Sequence, residues 1–153
     1  MENVSITTCL WFASHGIDAA RFYISLIPDS RLLTAATGED SPMIVDFTLA
    51  GVPYRILNGG PRYKLTPACS IAVTTHSQAE TDRLWQALCA DGGEESRCGW
   101  LIDRWGVSWQ IVPQALFTML GSADHEAAGR AQAAMLRMGK IEIAVLQAAF
   151  DAA

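Results

Sequence analysis

Apolar residues recur along the chain at two different spacings, and these predict a series of short strands and helices. Residues 5–12 are apolar and rich in β-forming side chains, which is typical of a strand. Residues 17–27 place apolar side chains three and four positions apart, the spacing of one helix face. The same criteria predict further strands at 31–37, 43–49, 53–57, 69–75 and 95–97, and further helices at 77–90, 114–120, 126–138 and 141–150.

The stretch from Cys98 to Pro113 predicts two more strands around a turn at 103–106. Neighbouring residues of a strand point to opposite faces of the sheet, so Trp109 and Gln110 belong to different faces. We predict that Trp109 packs in the core and that the strand carrying Gln110 forms one wall of a ligand cavity. Tyr23 and Trp85, on predicted helices, are also expected in the core.

The predicted order β-α-β-β-β occurs twice and is followed by a helical tail. A shift of 62 positions places Tyr23 on Trp85, and a shift of 55 places residues 51–56 on residues 106–111. The alternative is a chance similarity between amphipathic elements. We predict a single domain, 1–153, with a first βαβββ module at 1–61, a second at 68–113 and a helical tail at 114–153.

The helix predicted at 77–90 begins with a capping box. Ser77 and Glu80 have the required spacing, in which the serine accepts from the glutamate amide and the glutamate side chain reaches back to the chain before the helix.

Composition and charge exclude several classes of function. The chain is 50% hydrophobic and 18% charged, which fits a globular protein. Its net charge is −5 with scattered Lys and Arg, so neither a nucleic-acid partner nor a membrane partner is expected. No apolar run is long enough to span a bilayer, and residues 1–5 lack the features of a signal peptide. We therefore expect a cytoplasmic protein.

The cysteines do not predict a zinc site. Four are present, none of them in a C-x-x-C pair, and a reducing compartment would keep them as thiols. No P-loop, no Ser-His-Asp order and no G-x-G-x-x-G after a strand is found, so no nucleotide-type cofactor is predicted.

Several short motifs together resemble one known family. They are Thr8-Cys9-Leu10-Trp11-Phe12, Phe22-Tyr23, Pro28-Asp29-Ser30, Leu57-Asn58-Gly59-Gly60-Pro61, the stretch from Cys98 to Pro113 and the tail around Met135 to Ile143. The chain is similar to the PhnB-like branch of the vicinal-oxygen-chelate superfamily, a branch often labelled 3-demethylubiquinone-9 3-methyltransferase. That superfamily includes glyoxalase I, extradiol dioxygenases and bleomycin-resistance proteins.

The resemblance implies an α+β fold with two βαβββ modules and a C-terminal helical tail. In the glyoxalase/bleomycin-resistance fold the two sheets form a cupped half-barrel, and the ligand lies in the cup. The resemblance also implies a homodimer, to which the helical tail is a plausible contributor. It covers nearly the whole chain, but the branch has no single established chemistry.

Metal-dependent relatives carry a His or Glu at one position on each of four strands. The resemblance and the internal repeat place these positions on Thr8, Arg55, Ser70 and Gln110. Divalent metals of this kind need carboxylate or imidazole ligands, whereas these residues offer three neutral side chains and a permanent cation. We predict no catalytic metal and no cofactor, which places glyoxalase and dioxygenase chemistry in doubt.

These residues instead predict a polar ring in an apolar cup. Arg55 can hold a carboxylate or phosphate there, or it can lie at a rim and pair with Asp46 or Glu39. Trp100 is predicted to line the cup. Asn58 ends a strand that borders the cup and is a ligand-binding candidate, although a simple tight turn also explains the glycines that follow it.

Two main functions remain open. The first is metal-independent binding of a small organic molecule, aromatic or anionic, without chemistry. The second is an enzyme of the same family, acting in the cup by methyl transfer or by a lyase or isomerase step. A structural dimer with an empty cup is a third reading.

Overall fold

The computed structural model describes residues 4–34 and 42–152, which belong to two compact units. Unit 1 covers Met1–Leu65, and unit 2 covers Thr66–Ala153. Each unit contains one open, four-stranded sheet and one helix between its first two strands, so the predicted α+β fold with two βαβββ modules is confirmed.

Unit 1 consists of β1 (Thr8–Phe12), α1 (Gly16–Leu26), β2 (Arg31–Leu32), β3 (Ile44–Leu49) and β4 (Val52–Asn58). Its strand order is β1-β4-β3-β2, with β1 parallel to β4 and the other pairs antiparallel. The predicted strand at 31–37 extends into residues outside the described part of the chain. Glu39, considered as a partner of Arg55, also lies outside it.

Unit 2 repeats this arrangement and adds the tail. Its elements are β5 (Ser70–Thr75), α2 (Gln78–Cys89), β6 (Glu94–Glu95), β7 (Trp100–Ile102), β8 (Ser108–Pro113), α3 (Gln114–Leu120), α4 (His125–Met135) and α5 (Ile143–Asp151). The strand order is β5-β8-β7-β6, with β5 parallel to β8 and the other pairs antiparallel.

Helices cover one face of each sheet. In unit 1, Tyr23 of α1 is fully buried, and its ring lies 6.4 Å from that of Phe47, which stacks on Tyr54 at 5.7 Å. In unit 2, α2 contacts β5, β7 and β8, and both Trp85 and Trp109 are buried. The predicted core roles of Tyr23, Trp85 and Trp109 are therefore confirmed. We call this side of each sheet its helix face, and the other side its opposite face.

The start of α2 follows the capping-box prediction in part. Ser77 Oγ accepts a hydrogen bond from the Glu80 amide at 3.1 Å, as expected. The Glu80 carboxylate, however, accepts from the amide of His76 at 2.8 Å rather than from that of Ser77, so it reaches one residue further back.

The helical tail packs into its own apolar cluster at the end of β8. Leu116, Met119, Ile141 and Leu146 are buried there, and Val112 of β8 packs against them. The tail is thus part of unit 2 rather than a free extension. No helix among the described residues is long and apolar enough to cross a membrane.

Candidate functional site

Strand pairing brings four polar or aromatic residues together on the opposite face of the unit 2 sheet. Ser70 of β5 pairs with Ser108 of β8, and Trp100 of β7 pairs with Gln110 of β8. Gln110 Nε2 donates to Ser70 Oγ over 2.8 Å. The structure therefore brings together three of the predicted site residues, Ser70, Gln110 and Trp100.

A pocket of about 340 Å³ opens beside these residues. Trp100 and Ser108 lie in its wall, and Arg97 is the one charged residue among its lining. The remaining lining is mostly apolar, which is common in sites for small organic ligands. The lining residues are Pro67, Ser96, Arg97, Cys98, Trp100, Leu101, Ile102 and Ser108.

Ser108 differs from its polar neighbours because its hydroxyl has no partner. The residue is 2% exposed, and its Oγ is the one buried side-chain polar atom without a hydrogen bond among the described residues. Buried hydroxyl groups are nearly always paired, since an unpaired one loses its hydration without compensation. The Ser108 hydroxyl is therefore an unpaired group buried beneath the surface of the pocket wall.

A buried carboxylate holds the β7–β8 turn that leads into this strand. Asp103 is 3% exposed and accepts from the amides of Trp105 and Val107, at 2.9 and 3.0 Å, and from Trp109 Nε1 at 2.9 Å. These bonds link the turn to the middle of β8. They fix the strand immediately before Ser108, so the pocket wall has a rigid support.

The tail supports a second wall of the pocket. The amide of Cys98 donates to the Met138 carbonyl, and that of Gly99 donates to the Gly139 carbonyl, both at 2.8 Å. Cys98 and Gly99 both have positive φ, 57° and 83°, and a Cβ at Gly99 would lie 2.8 Å from the Ile111 carbonyl oxygen. The turn at Cys98 and Gly99, before β7, therefore depends on a glycine and on backbone hydrogen bonds to the tail.

Arg55 lies on the opposite face of the unit 1 sheet and pairs with a carboxylate of that sheet. Its Nε and Nη2 donate to the two oxygens of Asp46, at 2.7 and 3.0 Å. These hydrogen bonds raise the pKa of the guanidinium further above its ordinary value. Of the two roles considered for Arg55, the ion pair with Asp46 is the one observed.

The placement of Thr8 beside Arg55 was wrong. In the β1–β4 ladder Cys9 pairs with Arg55, whereas Thr8 pairs with Tyr54 on the helix face. Because side chains alternate along a strand, an error of one residue moves a side chain to the other face. The error comes from the loop before each helix, which has three residues in unit 1 (13–15) and two in unit 2 (76–77).

The side chain of Asn58, another ligand-binding candidate of unit 1, forms hydrogen bonds within its own unit. Asn58 Oδ1 accepts from the Gly16 amide at 3.0 Å, and Nδ2 donates to the Pro42 carbonyl at 2.7 Å. Its amide therefore ties the start of α1 to the end of β4. The glycines after it serve Trp11, whose indole N–H donates to the Gly60 carbonyl at 2.8 Å and whose ring packs against Gly59.

Sequence comparison assigns the chain to a family. Residues 4–112, which span both sheets, match the family described as 3-demethylubiquinone-9 3-methyltransferase. The chain belongs to this family. The predicted resemblance is confirmed. No curated protein sequence matches the chain.

One solved structure carries the same family label, and others share the fold. A Bacillus cereus protein described as PhnB, with the same methyltransferase label, is 29% identical over 72% of this chain and 99% of its own, with a TM-score of 0.63. A Pseudomonas aeruginosa protein is 20% identical over 72% and 98%, with a TM-score of 0.57. The fosfomycin resistance protein FosX from Mesorhizobium loti, 16% identical over 73% and 91% with a TM-score of 0.51, shares the fold.

The side chains in the described part of the chain do not form an evident metal site. No group of three or more His, Cys, Asp or Glu residues lies close enough to hold an ion in residues 4–34 and 42–152. His15, His76 and His125 are exposed, at or near the starts of helices. Burial raises the pKa of the Cys89 thiol to about 11, which makes it a poor thiolate.

Ser108 and Asp103 are the site residues that the sequence prediction missed. Ser108 stands two positions before Gln110, so strand alternation alone puts it on the same face. That signal was available. The sequence alone could not show that the Ser108 hydroxyl lacks a partner or that Asp103 is buried, because both depend on the surrounding packing.

Proposed function

We propose that this family member is a metal-independent binding protein for a small organic molecule, aromatic or anionic, which it holds in the unit 2 pocket. The observation that carries the proposal is the pocket of about 340 Å³ beside Trp100, with apolar walls and few polar groups. Its volume suits a ligand of one or two rings.

Each residue of the site has a role in this proposal. Trp100 offers an aromatic surface, and such rings stack on flat ligands. Gln110 and Ser70 lie beside the pocket and form a hydrogen bond with each other. A ligand that extends towards them would meet the amide hydrogen and the oxygen lone pairs that this bond leaves unused. Arg97 gives the pocket a positive charge that favours an anionic substituent.

A thermal-shift screen with small aromatic and anionic compounds tests the proposal. A ligand that binds the folded state raises the unfolding temperature in proportion to its concentration relative to Kd. Binding must also quench or shift the Trp100 fluorescence, and Trp100→Phe must remove that signal. A screen in which no such compound changes the unfolding temperature would reject the proposal.

An enzyme of the same family is the second candidate, and the family description favours it. The two candidates separate when a stabilising compound is incubated with the protein and analysed by mass spectrometry, with and without a methyl donor. An unchanged compound supports binding alone. A methylated or rearranged product that disappears in Gln110→Ala would establish the enzyme.

Metal independence follows from the ligand chemistry of the strand positions. Ser70 and Gln110 offer neutral oxygens, and Arg55 is a cation paired with Asp46. Elemental analysis of untagged protein is expected to show no stoichiometric Ni, Zn, Fe or Mn. Retention of one equivalent through dialysis would contradict this.

We also propose a cytoplasmic homodimer. Exposed apolar side chains on the tail helices support it, because they are available to a second copy. Light scattering after gel filtration is expected to give a mass near twice 16.6 kDa. The residues concerned are Phe117, Leu120 and Val145, with Leu136 beside α4.

A further inference from the structure

A segment of the tail connects the module helix α2 with the wall of the unit 2 pocket. This strap, residues 138–143, lies between α4 and α5 and includes the first residue of α5. Its carbonyl groups at Met138 and Gly139 accept the amides of Cys98 and Gly99, both at 2.8 Å. Cys98 lines the pocket, and so does Trp100 on the other side of Gly99. The strap is therefore bonded directly to the backbone of the pocket wall.

The backbone of this wall has a conformation that needs support from outside the sheet. Cys98 has a φ of 57°, in the left-handed region that a residue with a Cβ rarely adopts, and Gly99 follows with a φ of 83°. The Gly99 carbonyl accepts the Ile111 amide of β8 at 2.7 Å. Without the strap, the amides of Cys98 and Gly99 would lose their acceptors, and Cys98 would be free to return to an ordinary backbone conformation.

Two side chains of α2 hold the strap from its other side. Gln78 Nε2 donates to the Ile141 carbonyl at 3.1 Å, and Gln78 Oε1 accepts from the Ile143 amide at 2.7 Å. Asp82, one helical turn further along α2, accepts from Lys140 Nζ at 2.5 Å and from Gln78 Nε2 at 2.9 Å. Neither Gln78 nor Asp82 is among the residues that line the pocket. Any effect of theirs on a ligand must therefore pass through the strap.

We propose that Gln78 and Asp82 are positioning residues for the unit 2 pocket, an inference that rests on the proposed function. Their hydrogen bonds keep the strap in place, and the strap keeps the turn at Cys98 and Gly99 in the conformation that forms the wall. The apparent affinity for a ligand falls with the fraction of molecules in which this wall is formed. Because coupling between two sites is reciprocal, a bound ligand in turn holds the strap more firmly.

Amide hydrogen exchange measured by NMR tests the link between α2 and the wall without any ligand. Gln78→Ala removes both bonds to the strap backbone, so the amides of Cys98 and Gly99 should exchange about fivefold faster than in the wild type. Asp82→Ala, the second variant, should act in the same direction and serves if Gln78→Ala does not fold.

Arg130→Ala is the matched control, because it removes two side-chain bonds to the backbone at the far end of the same tail. Arg130 Nε and Nη2 donate to the Ala149 and Phe150 carbonyls, at 3.1 and 2.8 Å. This variant should lose stability but leave the exchange of the Cys98 and Gly99 amides unchanged. If α2 only stabilised the tail as a whole, both variants would speed the exchange of these amides alike.

Fluorescence titration with 2-naphthoate, a two-ring aromatic anion, tests the consequence for binding. Gln78→Ala and Asp82→Ala should each raise the Kd about fivefold. Lys140→Arg keeps a cation opposite Asp82 and should stay within about twofold of the wild type, and Arg130→Ala should not change the Kd. In the wild-type protein, 2-naphthoate should also slow the exchange of the Cys98 and Gly99 amides.

The outcomes distinguish this inference from the proposed function. Unchanged exchange of both amides in Gln78→Ala, or equal changes in Arg130→Ala, would overturn the positioning role. Faster exchange with an unchanged Kd would show that the wall does not govern binding, which overturns the inference while the binding function stands. If 2-naphthoate does not bind the wild type, the proposed function fails for this class of ligand, and the exchange rates alone decide whether α2 positions the turn.

Discussion

The opposite faces of the two sheets have the same strand order but different chemistry. In unit 1 side chains on this face pair locally: Arg55 forms an ion pair with Asp46, and the Trp11 ring packs against Gly59 and Tyr63. In unit 2 the equivalent of Arg55 is Gln110, whose face keeps a pocket and an unpaired hydroxyl at Ser108. The first face thus carries a partly exposed ion pair, and the second lies beside a largely apolar pocket.

The two hairpins that carry these faces also differ. In unit 1 the β3–β4 turn consists of Ala50 and Gly51, with φ of 47° and 79°, a two-residue turn of the type that fits the strand twist. In unit 2 the turn is longer and depends on the Asp103 carboxylate. Gly51 and Gly106 occupy the same place in the repeat, and both have positive φ. The unit 2 hairpin gains rigidity from a side chain, where unit 1 relies on backbone geometry.

Removal of the Asp103 carboxylate should have the largest effect on stability. Asp103→Ala leaves the Val107 amide and Trp109 Nε1 buried without acceptors, and we expect a loss of about 3 kcal/mol in the free energy of unfolding. Urea denaturation measures this loss. Asp46→Ala, which removes a half-exposed carboxylate of unit 1, is the control and should shift the midpoint far less. Equal losses of stability in Asp103→Ala and Asp46→Ala would show that the unit 2 hairpin does not depend on its carboxylate more than the unit 1 hairpin does.

Crowding of Trp11 tests how tightly its ring packs against Gly59 in unit 1. A Cβ at Gly59 would lie 2.3 Å from the Trp11 ring, so Gly59→Ala should cost about 2 kcal/mol and alter tryptophan fluorescence. Gly129→Ala is the matched control, since nothing lies near its Cβ and alanine favours the α4 helix; it should stabilise by about 0.5 kcal/mol. An unchanged stability for Gly59→Ala would show that Trp11 moves freely.

Paired substitution of Arg55 and Gln110 compares the two faces as binding surfaces. Gln110→Ala should weaken a ligand of the unit 2 pocket about fivefold, because it removes the partner of Ser70 beside Trp100. Arg55→Ala should leave the affinity within about twofold, because Asp46 already satisfies that guanidinium. Calorimetry with the best compound of the screen gives both values. A larger loss in Arg55→Ala would place the ligand on the face of unit 1.

The smallest effect concerns an ion pair that unit 2 alone provides between its module helix and its tail. Lys140 Nζ lies 2.5 Å from the Asp82 carboxylate, and this hydrogen bond lowers the pKa of Asp82 and raises that of Lys140. The contribution of Asp82 is therefore complete above its unfolded pKa, about 3.9, and is lost as the pH falls through the lower folded pKa. The contribution of Lys140 to stability is complete below its unfolded pKa, about 10.4, and is lost as the pH rises through the higher folded pKa.

Asp82→Asn should consequently lower stability by less than about 1 kcal/mol at pH 7, since both groups are partly exposed. Thermal unfolding between about pH 7 and pH 2 measures the difference between variant and wild type, which should vanish at the acid end. Asp18→Asn in α1, an exposed carboxylate of unit 1, serves as control. A difference that persists at low pH would mean that Asp82 acts through packing or through its bond to Gln78.

Sequence patterns predicted most of the fold and about half of the candidate site. The strand alternation of 108–113 placed Trp109 in the core and Gln110 on the other face, and the pairing confirmed both. The family resemblance gave the two-module architecture. The placement of Thr8 beside Arg55 failed, because strand pairing puts their side chains on different faces of the unit 1 sheet. This failure is an error of register rather than of element type.

The sequence by itself determined the two βαβββ modules, the tail and the family, because apolar spacing and short motifs are local properties of the chain. Tertiary structure decided which side chain stands opposite which. A one-residue difference in the loop before α1 moved Thr8 away from Arg55 and set Cys9 there instead. It also decided that Arg55 meets Asp46 and that Ser108 meets no partner, because hydrogen-bond satisfaction depends on every group that packing brings near.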